Sequence, residues 1–168
     1  MITPFAAEAV SQGVVSYGVS AYGYDMRLAD EFQFPLEPSS QVIDPKDKTS
    51  LRYEPVQAES IVIPANGSVL ARSLETFRIP RDVLALCFGK STYARCGVFP
   101  HVTPLEPEWE GVVTMKIFNV SPHPVRLHAF EGIVQVVFVG ADEVCETSYK
   151  DKGGKYQGQT GITAAKIS

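Results

Sequence analysis

No apolar run in these 168 residues approaches the roughly 18–20 needed to cross a bilayer, and no basic stretch followed by an apolar one opens the chain. A cytoplasmic location is expected, with no membrane partner. An excess of positive charge is also missing: 15 Lys and Arg stand against 19 Asp and Glu, a formal net charge of −4. A chain without a global positive field is a poor binder of DNA or RNA, although a few local cations and backbone amides suffice for a small phosphate ligand. Cysteine is scarce. Cys87, Cys96 and Cys145 are odd in number and widely spaced, which fits reduced, mostly buried thiols better than a disulfide framework. His-x-Glu and Pro-Cys-x-x-Cys are both absent, which excludes the zinc site of the nucleobase deaminases. His101, His123 and His128 lack ligand spacing and read as surface or structural residues. A P-loop is excluded as well, because the residue six before Lys90, where that motif places its first glycine, is Leu84.

What is present suits one globular domain spanning 1–168: 45% of residues are hydrophobic and 20% charged. Glycine and proline punctuate short segments rich in Val, Ile, Phe, Tyr and Thr, the pattern of a β-sandwich or barrel. Strands are predicted at Tyr24–Leu28, Ser60–Ile63, Ser68–Ser73, Val83–Phe88, Val112–Phe118, Val125–Leu127 and Ile133–Val139, with a short helix at Ser91–Cys96. Pro64-Ala65-Asn66-Gly67 supplies a turn between two of them. Pro35–Pro55 reads as a long surface excursion. Tyr149–Ser168, with glycines at 153, 154, 158 and 161, has too little apolar material to hold one shape, so a ligand or a neighbouring subunit is expected to order it.

Four segments carry candidate chemistry. In Gly89-Lys90-Ser91-Thr92-Tyr93-Ala94-Arg95, glycine permits close backbone approach, two hydroxyls follow, and two cations flank a short helix; this is either a phosphate cradle or a serine-capped helix with solvated basic residues. His101–Gly111 packs three carboxylates, two prolines and the only tryptophan into a stiff non-helical run, either an acidic surface turn or a fixed binding wall. Val112–Asn119 alternates, with Val113, Met115 and Ile117 on a core face and Val112, Thr114, Lys116 and Phe118 on a face for solvent or a pocket. The terminal run Ser148–Gln159 is a flexible tail able to close over a ligand, or a disordered terminus.

Ser16-Tyr17-Gly18, Tyr22-Gly23-Tyr24-Asp25, Gly89–Gly97, Thr103–Gly111, Glu131-Gly132-Ile133 with Gln135, and Ser148–Gly161 together resemble the deoxycytidine triphosphate deaminases, a family of the deoxyuridine triphosphatase-like superfamily. The resemblance covers nearly the whole chain in order. It implies a mainly β fold, a distorted barrel with one or two short helices, assembled as a homotrimer with sites at subunit interfaces. It also implies zinc-independent hydrolysis of deoxycytidine triphosphate to deoxyuridine triphosphate and ammonia, with magnesium carried in by the triphosphate. Lys90, Ser91, Thr92 and Arg95 would sit at the phosphates and the reacting centre, Ser91 and Arg95 orienting the attacking water. Thr103 and Glu106 would lie near base and sugar, and Gln135, Tyr149, Lys155 and Gln159 would complete the phosphate grip. Members carry a further helical segment before the Ser-Tyr-Gly block, where Met1–Gly13 stand here.

One position departs from the family. Its general-base glutamate, on the strand after the Trp-x-Gly turn, is Lys116 in this chain. At an ordinary pKa of about 10.4 a lysine is protonated at pH 7 and has no lone pair for water; desolvation or the neighbouring Arg95 would have to depress it. Two alternatives therefore stand beside the deaminase. One is a triphosphatase acting on deoxyuridine triphosphate, since Leu105–Gly111 is similar to that family's Ile-Asp-x-x-Tyr-x-Gly motif. The other is a pyrimidine-triphosphate-binding trimer that has lost its chemistry.

Overall fold

Among the residues described by the computed structural model, 1–37, 42–47 and 51–166, there are eleven strands and one short helix. In chain order they are β1 (Ile2–Thr3), β2 (Gly18–Val19), β3 (Gly23–Pro35), β4 (Tyr53–Gln57), β5 (Ser60–Ile63), β6 (Ser68–Arg78), β7 (Val83–Gly89), α1 (Ser91–Arg95), β8 (Val98–His101), β9 (Glu110–Asn119), β10 (Val125–His128) and β11 (Gly132–Gly140). The main sheet runs β7-β11-β3-β6-β9-β8, with β1 added to β6 and β2 and β4 to β3, while β10 and β5 form a separate pair. Its two ends, β7 and β8, lie against each other, which bends the sheet into a nearly closed, barrel-like shape. This is the mainly β architecture expected from the sequence.

Alternation explains the interior. Met26, Leu28 and Phe32 of β3, Val69, Ala71 and Phe77 of β6, Met115 and Ile117 of β9, and Ile133, Val134 and Val136 of β11 turn inward and are buried. Each fully buried large apolar side chain contributes about 1.5–3 kcal/mol, before the entropy of ordering it. The carboxylate of Glu75, buried among them, is fully enclosed and satisfied on both oxygens. Tyr24 Oη donates to Oε1 at 3.1 Å, Arg27 Nε donates to Oε1 at 2.7 Å, and the Arg27 amide donates to Oε2 at 2.9 Å. Glu75 lies where the β6–β9 ladder shifts register, between Arg72 and Thr76.

The predicted strands appear within a residue or two at most ends, but β3 and β6 run on, to Pro35 and Arg78. Their extensions carry polar residues that alternation alone would end, and cross-strand partners keep them: Arg72 pairs with Glu31, and Gln57 Nε2 donates to Asp30 Oδ2 at 3.0 Å. Both β4 and β8 are edge strands containing a proline, Pro55 and Pro100, the residue that masks a strand from pattern reading. β4 begins inside the expected excursion Pro35–Pro55, of which 38–41 and 48–50 lie outside the described residues. The Pro64–Gly67 turn forms between β5 and β6 with Asn66 at φ 57°. All three thiols are free; Cys87 and Cys145 are half-buried, and Cys96 is exposed, against the expectation of burial. The helix stops short of Cys96, which caps it.

Candidate functional site

Three stretches, with Leu70 of β6, build one cavity of about 580 Å³. β9 supplies Val113, Thr114 and Lys116, β8 and the following turn supply His101 to Glu106 and Trp109, and the tail supplies Tyr149, Lys155, Tyr156, Gln159 and Thr163. Six of the site residues anticipated from sequence therefore line a single space: Thr103, Glu106, Lys116, Tyr149, Lys155 and Gln159.

The pleat of β9 accounts for Lys116. Met115 and Ile117 fill the core, so Thr114 and Lys116 face the opposite way, into the cavity. Lys116 sits in register between Leu70 of β6 and His101 of β8, and its ammonium lies 5.4 Å from the centroid of the Tyr53 ring. Burial pushes its amine below the usual lysine value. Tyr53, on the strand missed from sequence, has no motif to announce it, and only β4's pairing with β3 brings it here.

The tail is seated by its own chain. Val112 N donates to Gln159 O at 2.9 Å, Gly158 N to Glu110 O at 2.8 Å, Trp109 Nε1 to Tyr156 O at 3.0 Å, and Thr163 N to Thr114 Oγ1 at 3.1 Å. These contacts come from the body of the chain, where sequence reasoning looked to a ligand or a neighbour. Gly111 makes the seating possible: its φ is 148°, and a Cβ there would fall 2.8 Å from Gln159 N and 2.9 Å from Gln159 O. Gly154 tucks under the Tyr149 ring, where a Cβ would lie 2.1 Å from Cε1. Gln159 Oε1 accepts from Thr114 Oγ1 at 3.2 Å, and Glu106 lies 3.7 Å from Lys152 Nζ.

Lys90, Ser91, Thr92, Arg95 and Gln135 do not line this cavity. They gather around α1 and the neighbouring β3–β11 ladder. The helix cap is Lys90, with no side-chain cap bond, so the serine cap considered from sequence does not form. Lys90 instead pairs with Asp25, a member of the Tyr22–Asp25 block, whose other oxygen is buried without a hydrogen-bond partner among the described residues. Gln135 sits opposite Asp25 across the β3–β11 ladder. Ser91 and Thr92 are exposed, and so is Arg95, whose Nη1 donates to Ser91 O at 2.9 Å. The expectation of Arg95 beside Lys116 is not met within one chain.

The family model described as dCTP deaminase-like matches residues 1–141. The dCTP deaminase of Dichelobacter nodosus is 54% identical, covering 97% of this chain and 89% of that protein, and that of Acidobacterium capsulatum is 52% identical over 99% and 91%. Among solved structures, the 2'-deoxycytidine 5'-triphosphate deaminase of Agrobacterium tumefaciens shares the fold with a TM-score of 0.58 at 20% identity; the match covers 82% of this chain and 42% of that one. With the family model spanning most of its length and relatives more than half identical along nearly all of it, the chain belongs to the dCTP deaminase-like family.

Proposed function

We propose that this chain catalyses the zinc-independent hydrolytic deamination of dCTP to dUTP and ammonia. Its near full-length likeness to proteins named dCTP deaminase carries the reading, and the cavity supplies the chemistry. The substrate is the magnesium complex of the triphosphate, drawn from the cytoplasmic nucleotide pool. Thr103 and Glu106 meet base and sugar, while Tyr149, Lys155 and Gln159 hold the triphosphate from the tail side.

Lys116 handles the protons. Its half-buried amine has a pKa below the usual lysine value, and in its neutral form it offers a lone pair. Water's oxygen bonds to C4 of the cytosine ring as one proton passes through the amine to N3. The hydroxyl proton then passes to the exocyclic nitrogen, the C4–N bond breaks, ammonia leaves and the C4 carbonyl forms. Each cycle returns the amine to its starting state, consuming one water.

The remaining residues act from a second subunit. In a homotrimer the cradle of one copy, Lys90, Ser91, Thr92 and Arg95 with Gln135, meets the cavity of the next, where Ser91 and Arg95 orient the water. The separation of the two groups within a single chain supports this arrangement. Product analysis with each deoxy- and ribonucleoside triphosphate and magnesium tests the reading. Ammonia and dUTP from dCTP are expected; no ammonia from any cytosine nucleotide would overturn it, and pyrophosphate released from dUTP would point to the triphosphatase.

A further inference from the structure

The cavity has two walls that come from distant parts of the chain, the turn at 103–109 and the tail from 148 onward. One side chain ties them together from behind. Arg81, in the connection between β6 and β7, donates from Nη1 to Glu108 Oε2 at 2.6 Å and from Nη2 to Asp151 Oδ2 at 2.6 Å. Its Nε reaches Cys145 O at 3.2 Å, and Nη2 also reaches Glu146 O at 3.1 Å.

Both partners are themselves fixed. Asp151 closes a turn with Ser148, accepting from the Ser148 amide at 3.0 Å, while its own amide donates to Ser148 Oγ at 3.1 Å. The Ser148 amide first, and then Arg81, hold the Asp151 carboxyl down at about 2, so it stays ionised under any assay condition. Inside that turn, Tyr149 N donates to Pro107 O at 3.0 Å. Glu108 adopts the left-handed φ of 61°, uncommon for a side chain with a Cβ, and its carbonyl accepts from Gln157 Nε2 at 2.9 Å. A planar guanidinium that engages two carboxylates and two carbonyls is a directional joint that an ammonium cannot copy. The nearby pair Arg78–Glu110 joins only two adjacent strands and is largely exposed.

We infer that Arg81 is a positioning residue for nucleotide binding: it locks the 148–151 turn of the tail to the 106–109 turn and so sets Tyr149 and Lys155 across the cavity from Glu106. The inference rests on reading this cavity as the nucleotide site. Arg81 touches no substrate; it acts through Glu108 and Asp151. Its loss lowers the grip on the ligand and leaves the reacting centre on β9 in place.

The test uses the full chain with Arg81→Gln, Arg81→Lys, Asp151→Asn, the Arg81→Gln/Asp151→Asn double variant, and Arg78→Gln as control. Endoproteinase Lys-C digestion without nucleotide reads the tail at Lys150, Lys152 and Lys155, and steady-state assays with dCTP and magnesium read kcat and KM separately. For Arg81→Gln, tail cleavage is expected to quicken and KM to rise, each by about tenfold, with kcat within about twofold. Arg81→Lys should recover only part of the loss, Arg78→Gln should match the parent, and the double variant should be no worse than Arg81→Gln. Parent-like cleavage and KM in Arg81→Gln would overturn the inference, and so would a fall in thermal midpoint with KM unchanged, the mark of a merely structural arginine. If the parent turns over no cytosine nucleotide, the functional reading fails, while the Lys-C comparison still decides whether Arg81 holds the tail.

Discussion

If Lys116 passes the protons, turnover must follow the neutral amine. At an ordinary pKa of about 10.4, roughly one lysine in 2,500 is neutral at pH 7, and every unit by which burial lowers that pKa multiplies the share tenfold. The half-buried amine beside Tyr53 gains from this, with no carboxylate among the cavity residues of β9 to restore the charge. In the parent, log kcat should therefore climb with unit slope from pH 6 upward and level off only where the amine has lost its proton. Lys116→Glu places a carboxylate at the same position of β9, already ionised above about pH 5 to 6. Its profile should be flat from pH 6 to 9, and at pH 7 its rate should exceed the parent's by a factor that can reach ~10²–10⁴, the worth of a positioned general base. Lys116→Met should lose a factor in the same range and still bind dCTP. Ammonia release from dCTP across that pH range, with kcat separated from KM, is the assay. A flat parent profile, an undiminished Lys116→Met, or the loss of a robust activity in Lys116→Glu would each refute this account.

The same burial has a signature in stability. Because the folded-state pKa of Lys116 lies below the usual 10.5, the folded protein binds fewer protons than the unfolded chain between those two values, and stability from this group rises with pH through that window. Below it the penalty is fully present. Lys116→Met should thus melt above the parent at pH 7, with the gain fading as pH passes 10.5.

Arg95→Ala should leave the thermal midpoint nearly unchanged, because among the described residues this exposed side chain bonds only the Ser91 carbonyl of its own helix, yet lower kcat/KM by about 10- to 100-fold if it meets the neighbour's ligand. Gly111→Ala should unseat the tail, since its Cβ has no room beside Gln159; faster Lys-C cleavage and a loss of about 1–3 kcal/mol in urea unfolding are expected. Glu75→Gln should cost about 3–5 kcal/mol in the same measurement, because the Arg27 guanidinium and Tyr24 hydroxyl keep their places around a group that no longer carries charge.

How far the sequence reveals this molecule depends on what each residue's neighbours are. The strand periods of β5, β7, β9 and β11 were legible because one face of each meets the core and turn residues bound it. β4 and β8 were not, since proline suppresses the strand signal and an edge needs only one partner. Thr103, Glu106, Lys116, Tyr149, Lys155 and Gln159 could be nominated from their chemistry and from the family resemblance, and they line one cavity. Asp25 as the partner of Lys90, Tyr53 against Lys116, and Arg81 between Glu108 and Asp151 are separated by 65, 63 and 27 to 70 residues in the chain, and no local pattern announces such pairings. Lys90 illustrates the reason. Its charge made it a phosphate candidate, but only the packing of β3 against β11 reveals that a carboxylate already holds it.

The division between sheet and tail makes one more outcome predictable. Lys116 stands on a strand hydrogen-bonded on both sides, by β6 and by β8, and flanked by the buried Met115 and Ile117, so its amine cannot drift with the tail. Lys155 stands on a segment held through turns, its ammonium 5.6 Å from the Tyr156 ring and otherwise exposed. In the proposed function the first position serves the chemical step and the second the grip on the triphosphate, so Lys155→Gln should raise KM by about tenfold at nearly constant kcat, the reverse of Lys116→Met. Residues that act in separate steps and share no partner add in free energy. The double variant should lose in kcat/KM the product of the two single losses, to within about twofold. A combined loss much smaller than that product would mean that tail closure and proton transfer are one event, and the separation of grip from chemistry would have to be given up.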